Sequence, residues 1–289
     1  MKKFYLLIIV FFYYLSAKSQ VEFSPDKFSD TKKMHKKIVE VTPDLLLKHN
    51  VKHLQIIECK ADITVAGESV YMGFSKSEDF RKYYKEKHPR YSKKIGEDYF
   101  ETALDVVYNR FNKMLSDNGL FPVEKEDVIN NPTFVKNELQ KKDYKEYTGG
   151  KISDYATGNE FIACSSGMNP LPVGLDYNSA EEFNQELAKI GNDNEAEAAL
   201  KIHIGLTIDE NGAILLTKYN VLMDTWISAY KKGTETKYKW KMLDTKLFEL
   251  KSEIEGSTGH EDLDSLDTEL IHIFDTITEM YSFALSSHL

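Results

Sequence analysis

The sequence predicts an α/β fold of the α+β type, in which a mixed sheet with two antiparallel hairpins carries amphipathic helices mainly on one side. Apolar and polar residues alternate along residues 200–208, which is the period of a half-buried strand. Residues 100–115 and 263–284 instead repeat their apolar residues every three or four positions, the period of a helix with one buried face. No internal repeat is present, so we do not expect a solenoid or propeller.

The first element is a short apolar leader that we expect to be removed. Two lysines precede an unbroken apolar run from Phe4 to Leu15. As a helix this run would span roughly 18 Å, which is short of the ~30 Å hydrocarbon core of a bilayer. Ala17 and Ser19 then supply the small residues that favour cleavage before Gln20. The pattern predicts a secretory signal peptide; cleavage after Ala17 and an uncleaved anchor are the alternatives.

The expected organisation follows from this leader and from composition. We expect a signal peptide over residues 1–19, a flexible lead-in over 20–45, and a single α/β domain over 46–289. The mature chain would lie in the periplasm or outside the cell, with no stable membrane span. Loss of three lysines with the leader reduces 37 basic side chains to 34, against 46 acidic ones. That balance argues against a nucleic-acid partner, because phosphate binding needs concentrated Lys and Arg.

The elements of the first half are predicted in order. The β-branched stretch 51–65 predicts a strand. A helix over 100–115 would start at an N-cap at Asp98 and end at Asn118-Gly119. A short strand at 120–124 and a helix opened by Pro132 follow. The apolar stretch 161–165 predicts another short strand.

The second half predicts the two hairpins and a closing helix. The strand over 200–208 turns at residues 209–212 and returns through 213–223. In residues 237–256, aromatic residues alternate with lysines, which predicts a second hairpin turning at 244–246. A helix is the competing interpretation of that stretch, because its leucines also fit helical steps. Residues 263–284 form the closing amphipathic helix.

The two cysteines leave two interpretations open. Cys59 and Cys164 both lie in apolar strand-like stretches. In an exported protein they could form a disulfide, if their strands are adjacent and in register. Otherwise they are two buried thiols that act as small apolar side chains. Further ligands at close spacing are missing, so a zinc site is not expected.

We assign no catalytic, cofactor-binding or metal-binding residue from the sequence. Cys164, followed by Ser165 and Ser166, could be a nucleophile only if a base lay within hydrogen-bond reach. His49 and His53 are four residues apart but have no third ligand nearby. His203 is expected on the exposed face of its strand. A group of carboxylates lacks the glycine and ligand order of an EF-hand, and is better explained as the start of a helix: Glu261, Asp262, Asp264, Asp267 and Glu269.

One loop is a candidate interaction surface. Residues 165–178 combine Gly, Asn and Pro with apolar side chains that a polar linker would not need. The residues we single out there are Met168, Asn169, Leu171 and Val173. The alternative is that the loop folds over the edge of the sheet.

Two segments resemble a known group of proteins. The stretches FETALDVVYNRFNKMLSDNGLFPVEKEDVI and KYKWKMLDTKLFELKSEIEG are similar to bacterial envelope proteins related to the curli-secretion protein CsgG and to the TolB amino-terminal domain. There, an amphipathic helix ends at a glycine before a short strand, and a later strand runs into an aspartate turn. Lys246 is followed here by Leu247 instead of threonine and glycine, and the lipoprotein cysteine of that group is absent. The resemblance transfers no functional residue and implies a non-catalytic envelope scaffold or assembly factor.

The function expected from the sequence is therefore that of an exported, non-enzymatic interaction or assembly protein of the bacterial cell envelope. Its partner would be another envelope protein, and it would need no cofactor. The alternatives are a secreted hydrolase whose site is assembled from scattered residues, and a small-ligand binding module.

Overall fold

A computed structural model describes residues 19–48, 50–65, 97–137, 159–168, 189–191, 193–208, 213–227, 231–232, 235–236, 239–241, 246–256 and 263–288. These residues form helices and a mixed sheet, which confirms the predicted α/β class. No helix among them is long and apolar enough to cross a membrane. Residues 1–18 of the predicted leader, which is residues 1–19, lie outside them, so its removal stays a prediction.

Ten of the described strands make one sheet: β1 (Gln20–Glu22), β2 (Val39–Val41), β3 (His53–Val65), β4 (Phe121–Pro122), β5 (Asn159–Cys164), β6 (Ala198–Ile208), β7 (Ile214–Ile227), β10 (Lys239–Lys241), β11 (Lys246–Leu250) and β12 (Glu253–Glu255). A separate ribbon pairs β8 (Lys231–Lys232) with β9 (Glu235–Thr236).

The centre of the sheet is made by its three longest strands. β6 runs parallel to β3 and antiparallel to β7, so the first predicted hairpin is confirmed. Beyond β3 lie β4, which is parallel to it, and β5, which is antiparallel. Beyond β7, the short strands β10, β11 and β12 follow one another along its length. β2 and β1 then pair with β11 and β12.

The described helices are α1 (Pro25–Phe28), α2 (Thr31–Ile38), α3 (Asp44–Lys48), α4 (Glu97–Asp117), α5 (Lys125–Ile129), α6 (Pro132–Asn137) and α7 (Leu263–Ser286). α7 packs on α4, α2 and β2, while α4 packs on β3, β4 and β5. Asp98 lies inside α4, not at its N-cap, because the helix begins one residue earlier. The predicted stop is confirmed: Gly119 follows the helix with φ 80°, a backbone conformation that glycine adopts without strain.

The main core lies between these helices and one face of the sheet. Leu200, Ile202 and Ile204 of β6 point into it and meet apolar side chains of α4 and α7, such as Phe111 and Ile277. This is the face that the period-two pattern predicted. The helical stripes of α4 and α7 supply the other half of the same core, as their spacing also predicted.

A β-bulge in β3 gives the other face a small core of its own. The register between β3 and β6 shifts between Ile56 and Glu58, so Ile57 and Glu58 both lie on the face opposite that of Ile56 and Cys59. Ile57 packs there with Ala199 and with Val128 and Phe134 of α5 and α6. Helices therefore cover mainly one face, as predicted, and part of the other.

The flexible lead-in expected over residues 20–45 is wrong. This segment contains β1, α1, α2 and β2, and Phe23, Phe28 and Ile38 are buried in the main core. The Phe23 and Phe28 rings lie 4.9 Å apart. Most residues of the segment are polar, but its few apolar residues point inward while its lysines face water. Composition alone cannot distinguish such an edge element from a loose tail.

The second hairpin is also formed differently from the prediction. Residues 239–241, 246–250 and 253–255 are strands, as the alternation indicated, so the competing helix is excluded there. β10 and β11 do not pair with each other; both pair with β7. The antiparallel partner of both strands is the long strand β7.

Candidate functional site

A group of four polar side chains joins α4, α5 and the end of β5; we call it the Asp105 cluster. It consists of Asp105, Lys125, Ser165 and Ser166. The carboxylate oxygen Oδ1 of Asp105 accepts hydrogen bonds from Lys125 Nζ (2.9 Å), Ser165 Oγ (2.6 Å) and the Ser166 amide (2.8 Å). Ser166 Oγ donates to Oδ2 of the same carboxylate. Lys125 Nζ also donates to Ser165 Oγ over 2.7 Å.

Local backbone structure brings these side chains together. Ser165 follows β5, and its amide extends the pairing of that strand by donating to the Cys59 carbonyl over 3.0 Å. The chain then turns through Gly167, which has φ 73°, and Met168 donates back to the Ser165 carbonyl. This tight turn presents both serines to α4, where Asp105 lies at the edge of the apolar stripe.

The electrostatics of the cluster favour a charged Asp105. Partial burial alone would raise the pKa of Asp105, but hydrogen bonds from Ser165, Ser166 and Lys125 outweigh it, and the net pKa is lowered. Lys125 Nζ also lies 5.1 Å from the centre of the Tyr108 ring. Burial raises the pKa of Tyr108, so that phenol is neutral.

This arrangement resembles a serine–lysine pair in distance but not in proton placement. In such a pair the amine must take the proton of the nucleophilic hydroxyl. Here Ser165 donates its proton to Asp105, while Lys125 donates a second hydrogen bond to the same hydroxyl. Ser165 is also only 1% exposed. The geometry is that of a buried polar contact that fixes the Ser165–Met168 turn against α4 and α5.

Both cysteines are buried, and no disulfide joins them in this structure. The register sets Cys164 opposite Lys60 instead of Cys59, so the two side chains are not a directly opposed pair. Burial and the neighbouring Cys164 raise the pKa of Cys59 well above its usual value, which disfavours the reactive thiolate. Of the two interpretations that the sequence left open, a disulfide and a pair of buried thiols, the structure has the second. Cys164 lies next to the Asp105 cluster but is itself covered.

The expectation that His203 is exposed is wrong. Its side chain is 14% exposed, and Nε2 lies 2.6 Å from Glu58 Oε2, while Lys60 Nζ lies 3.6 Å from the other oxygen of that carboxylate. Lys201, two residues before His203, pairs with Asp224 over 2.7 Å. The second face of the central strands is therefore lined by largely buried polar and charged side chains in contact with one another, and is not a wet surface.

A further group of side chains is exposed and lies at the end of the sheet where β3 begins; we call it the Phe121 patch. It consists of His53, Phe121 and Glu197. The rings of His53 and Phe121 stack with centroids 5.2 Å apart. Glu197 accepts the amide hydrogens of Lys52 (2.8 Å) and His53 (2.6 Å), and its own amide donates to the His53 carbonyl. Phe121 is 56% exposed although its strand is paired with β3.

The other sequence-derived candidates have mixed outcomes. Met168 is 3% exposed and packs in the main core, so it is not part of an interaction surface. Asn169, Leu171, Val173 and His49 lie outside the described residues. The part of the chain that the structure describes holds no group of three His, Cys, Asp or Glu side chains placed to bind a metal. Asp264, Asp267 and Glu269 lie within α7, as expected of acids at a helix start.

Sequence reasoning named Ser165, Ser166 and His53 but missed the other members of the two best-defined groups, which are Asp105, Lys125, Phe121 and Glu197. Asp105 was overlooked because a charged residue beside a helical stripe is usually solvated. Lys125 and Glu197 are separated from their partners by 20 and 144 residues, so no local spacing marks them. The one available signal was the Cys164-Ser165-Ser166 stretch, in which the serines turn out to matter more than the thiol.

No protein-family model, curated protein or solved structure matches this chain. Its function has to be inferred from its own residues.

Proposed function

We propose that this chain is an exported, non-enzymatic protein of the bacterial cell envelope that works by binding another envelope protein. The Phe121 patch is the observation that carries the proposal. Export is supported by the short apolar leader, and a scaffold role by the resemblance to CsgG-related and TolB amino-terminal-domain proteins.

Phe121 has the properties of an interface anchor. Its backbone is fixed by two hydrogen bonds of its segment to β3, Phe121 amide to Lys52 carbonyl (2.8 Å) and Val123 amide to Leu54 carbonyl (2.7 Å). A rigid aromatic side chain loses little entropy on binding, which is why such residues dominate interfaces. Burial of the exposed half of a Phe side chain is worth about 1 to 2 kcal/mol.

Recognition at this edge would use side chains and not strand addition. The amides of Phe121 and Val123 both point to β3, and the residue between them is Pro122, which has no amide hydrogen. A partner strand would find no donor there, and proline is a common device that protects sheet edges. The patch therefore favours a globular partner that offers an apolar pocket.

Site-specific photo-crosslinking in the native envelope tests this proposal. A photo-reactive amino acid at Phe121 should capture one discrete partner, whereas the same group at Ser286, which is exposed at the end of α7, should not. Phe121→Ala should weaken binding of that partner by roughly five- to thirtyfold, as the lost apolar area implies. Val135→Ala is the matched control because Val135 is equally exposed on α6. Equal labelling at positions 121 and 286 would contradict the proposal.

A secreted hydrolase is the second candidate, and the 2.7 Å contact between Lys125 Nζ and Ser165 Oγ is what favours it. Opening of the Ser165–Met168 turn would be needed to expose the hydroxyl. Purified protein should then hydrolyse generic ester or peptide substrates and lose that activity in Ser165→Ala and Lys125→Met, but not in Lys113→Met on the exposed face of α4. Activity that survives Ser165→Ala excludes this assignment.

A further inference from the structure

The bond that we expect the leader peptidase to cut lies inside the folded sheet. Pairing of β1 with β12 begins at Gln20, which is opposite Glu253. Ser19, on the other side of the bond, is also engaged: its carbonyl accepts the Glu253 amide hydrogen over 3.0 Å, and its hydroxyl lies 2.8 Å from that of Ser252. The ladder continues beyond the bond, where the Phe23 amide donates to the Glu255 carbonyl over 2.7 Å.

Folding and cleavage compete for the same atom. A peptidase hydrolyses the Ser19–Gln20 bond by attack on the Ser19 carbonyl carbon, and it stabilises the negative charge that develops on the carbonyl oxygen with its own donors. Water is added across the bond, leaving a carboxylate on Ser19 and an amine, protonated to an ammonium, on Gln20. In the folded chain that oxygen already accepts the Glu253 amide, and the flanking backbone is paired with β12.

We propose that Ser19–Gln20 is a processing site that folding closes, so that the leader is removed from the unfolded chain before β1 pairs with β12. This rests on the proposed export. It implies that the chain crosses the membrane unfolded, because a chain exported after folding would present a protected bond. Phe23 strengthens the protection, since it anchors the end of β1 in the core with its ring 4.9 Å from Phe28.

Cleavage also changes the edge that it leaves behind. The Glu253 amide loses its acceptor, and the Ser252 hydroxyl keeps only its contact to the Lys37 carbonyl at 3.3 Å. The new ammonium of Gln20 forms at the start of β1, directly opposite Glu253, and the Gln20 side chain already donates to Glu255 over 2.9 Å. Cleavage therefore removes the hydrogen bond between the Glu253 amide and the Ser19 carbonyl, and it adds a positive charge at Gln20, whose strand pairs with the segment that carries Glu253 and Glu255.

The test compares cleavage rates of folded precursor variants by a purified signal peptidase, with the released amino terminus read by mass spectrometry. The folded full-length chain should be cut at least on the order of tenfold more slowly than a synthetic peptide of residues 10–30, because the edge must first open. Glu253→Pro removes the amide that holds Ser19 and should speed cleavage severalfold. Glu253→Ala, which keeps that amide, is the matched control and should behave as the wild type.

Folded wild-type chain that is cut as fast as the peptide would overturn the inference. If Glu253→Pro does not fold, hydrogen exchange decides: the Glu253 amide should exchange at least about tenfold more slowly in the full chain than in a chain beginning at Gln20. Equal exchange in the two chains would also overturn it. Failure of the export proposal looks different, because native protein would then retain Met1 whatever the rates measured with purified precursor.

Discussion

Replacement of Asp105 by alanine should be among the most destabilising single changes at a polar residue of this chain. The substitution removes one acceptor from four donors, the Lys125 ammonium, both serine hydroxyls and the Ser166 amide. Water can reach Lys125 and Ser166 afterwards, but Ser165 is 1% exposed and stays without its acceptor. Loss of a buried acceptor costs about 1 to 3 kcal/mol, and loss of the partner of a partly buried charge adds to it.

Because the Asp105 side chain is 29% exposed, solvent screening reduces the electrostatic part, and we expect a net loss of about 3 kcal/mol. Asp117→Ala on the same helix is the matched control. Asp117 pairs with Lys113 one turn away, but both side chains are more than half exposed, so its loss should cost only about 0.5 kcal/mol. Urea unfolding of the two variants at near-neutral pH measures the difference directly.

The pH dependence supplies an independent check. The folded-state pKa of Asp105 is lowered from 3.8, so its stabilisation is fully present above pH 3.8 and is lost as the pH falls through the lowered value. The gap between wild type and Asp105→Ala should therefore narrow below pH 3.8 and stay constant above about pH 5. If Asp105→Ala lies within about 0.5 kcal/mol of Asp117→Ala, the cluster does not hold the turn as we argue.

Other predictions test the core and the turns. Native protein should not react with a thiol reagent at Cys59 or Cys164, and unfolded protein should react at both; unfolded protein that reacts at neither until a reductant is added would mean a disulfide. Gly167→Ala should cost about 1 to 2 kcal/mol, more than Gly119→Ala, because both need positive φ but only at Gly167 would the new methyl lie within 3.1 Å of a side chain. Equal losses in urea unfolding would contradict this. Phe248→Ala should cost about 3 to 5 kcal/mol, and a loss below about 1 kcal/mol would show that this ring is not central to the core.

The parts of the fold that could be predicted are long strands, in which every second side chain is buried, and long helices, in which every third or fourth side chain is buried. The stripe of α4, with Phe111, and the alternation of β6, with Ile202, are unambiguous because each covers many residues. Short edge elements carry no such pattern. β1 has only Val21 packed against the core, so residues 20–45 look like a loose segment when only their own sequence is considered.

The polar groups could not be predicted, since their geometry depends on contacts between distant segments. Asp105 meets Ser165 only after β5 has paired with β3, and Glu197 caps the amides of residues 52 and 53 only after β6 has aligned with β3. Met168 is the opposite case, a residue that the sequence suggested for a surface and that the structure buries. It follows two serines and a glycine and looks exposed in sequence, yet the turn at Gly167 directs it into the core.

The charged side chains on the second face of β3, β6 and β7 help to explain why these strands pair in one register. Lys201 of β6 pairs with Asp224 of β7 over 2.7 Å, and His203 of β6 contacts Glu58 of β3, which also pairs with Lys60. A slip of one residue would turn the apolar face of β6 outward and bury Lys201 and His203 in the main core. Buried ion pairs add little net stability, because desolvation offsets their attraction. We infer that these pairs contribute specificity: they penalise the slipped alignments that the apolar side chains alone would penalise less.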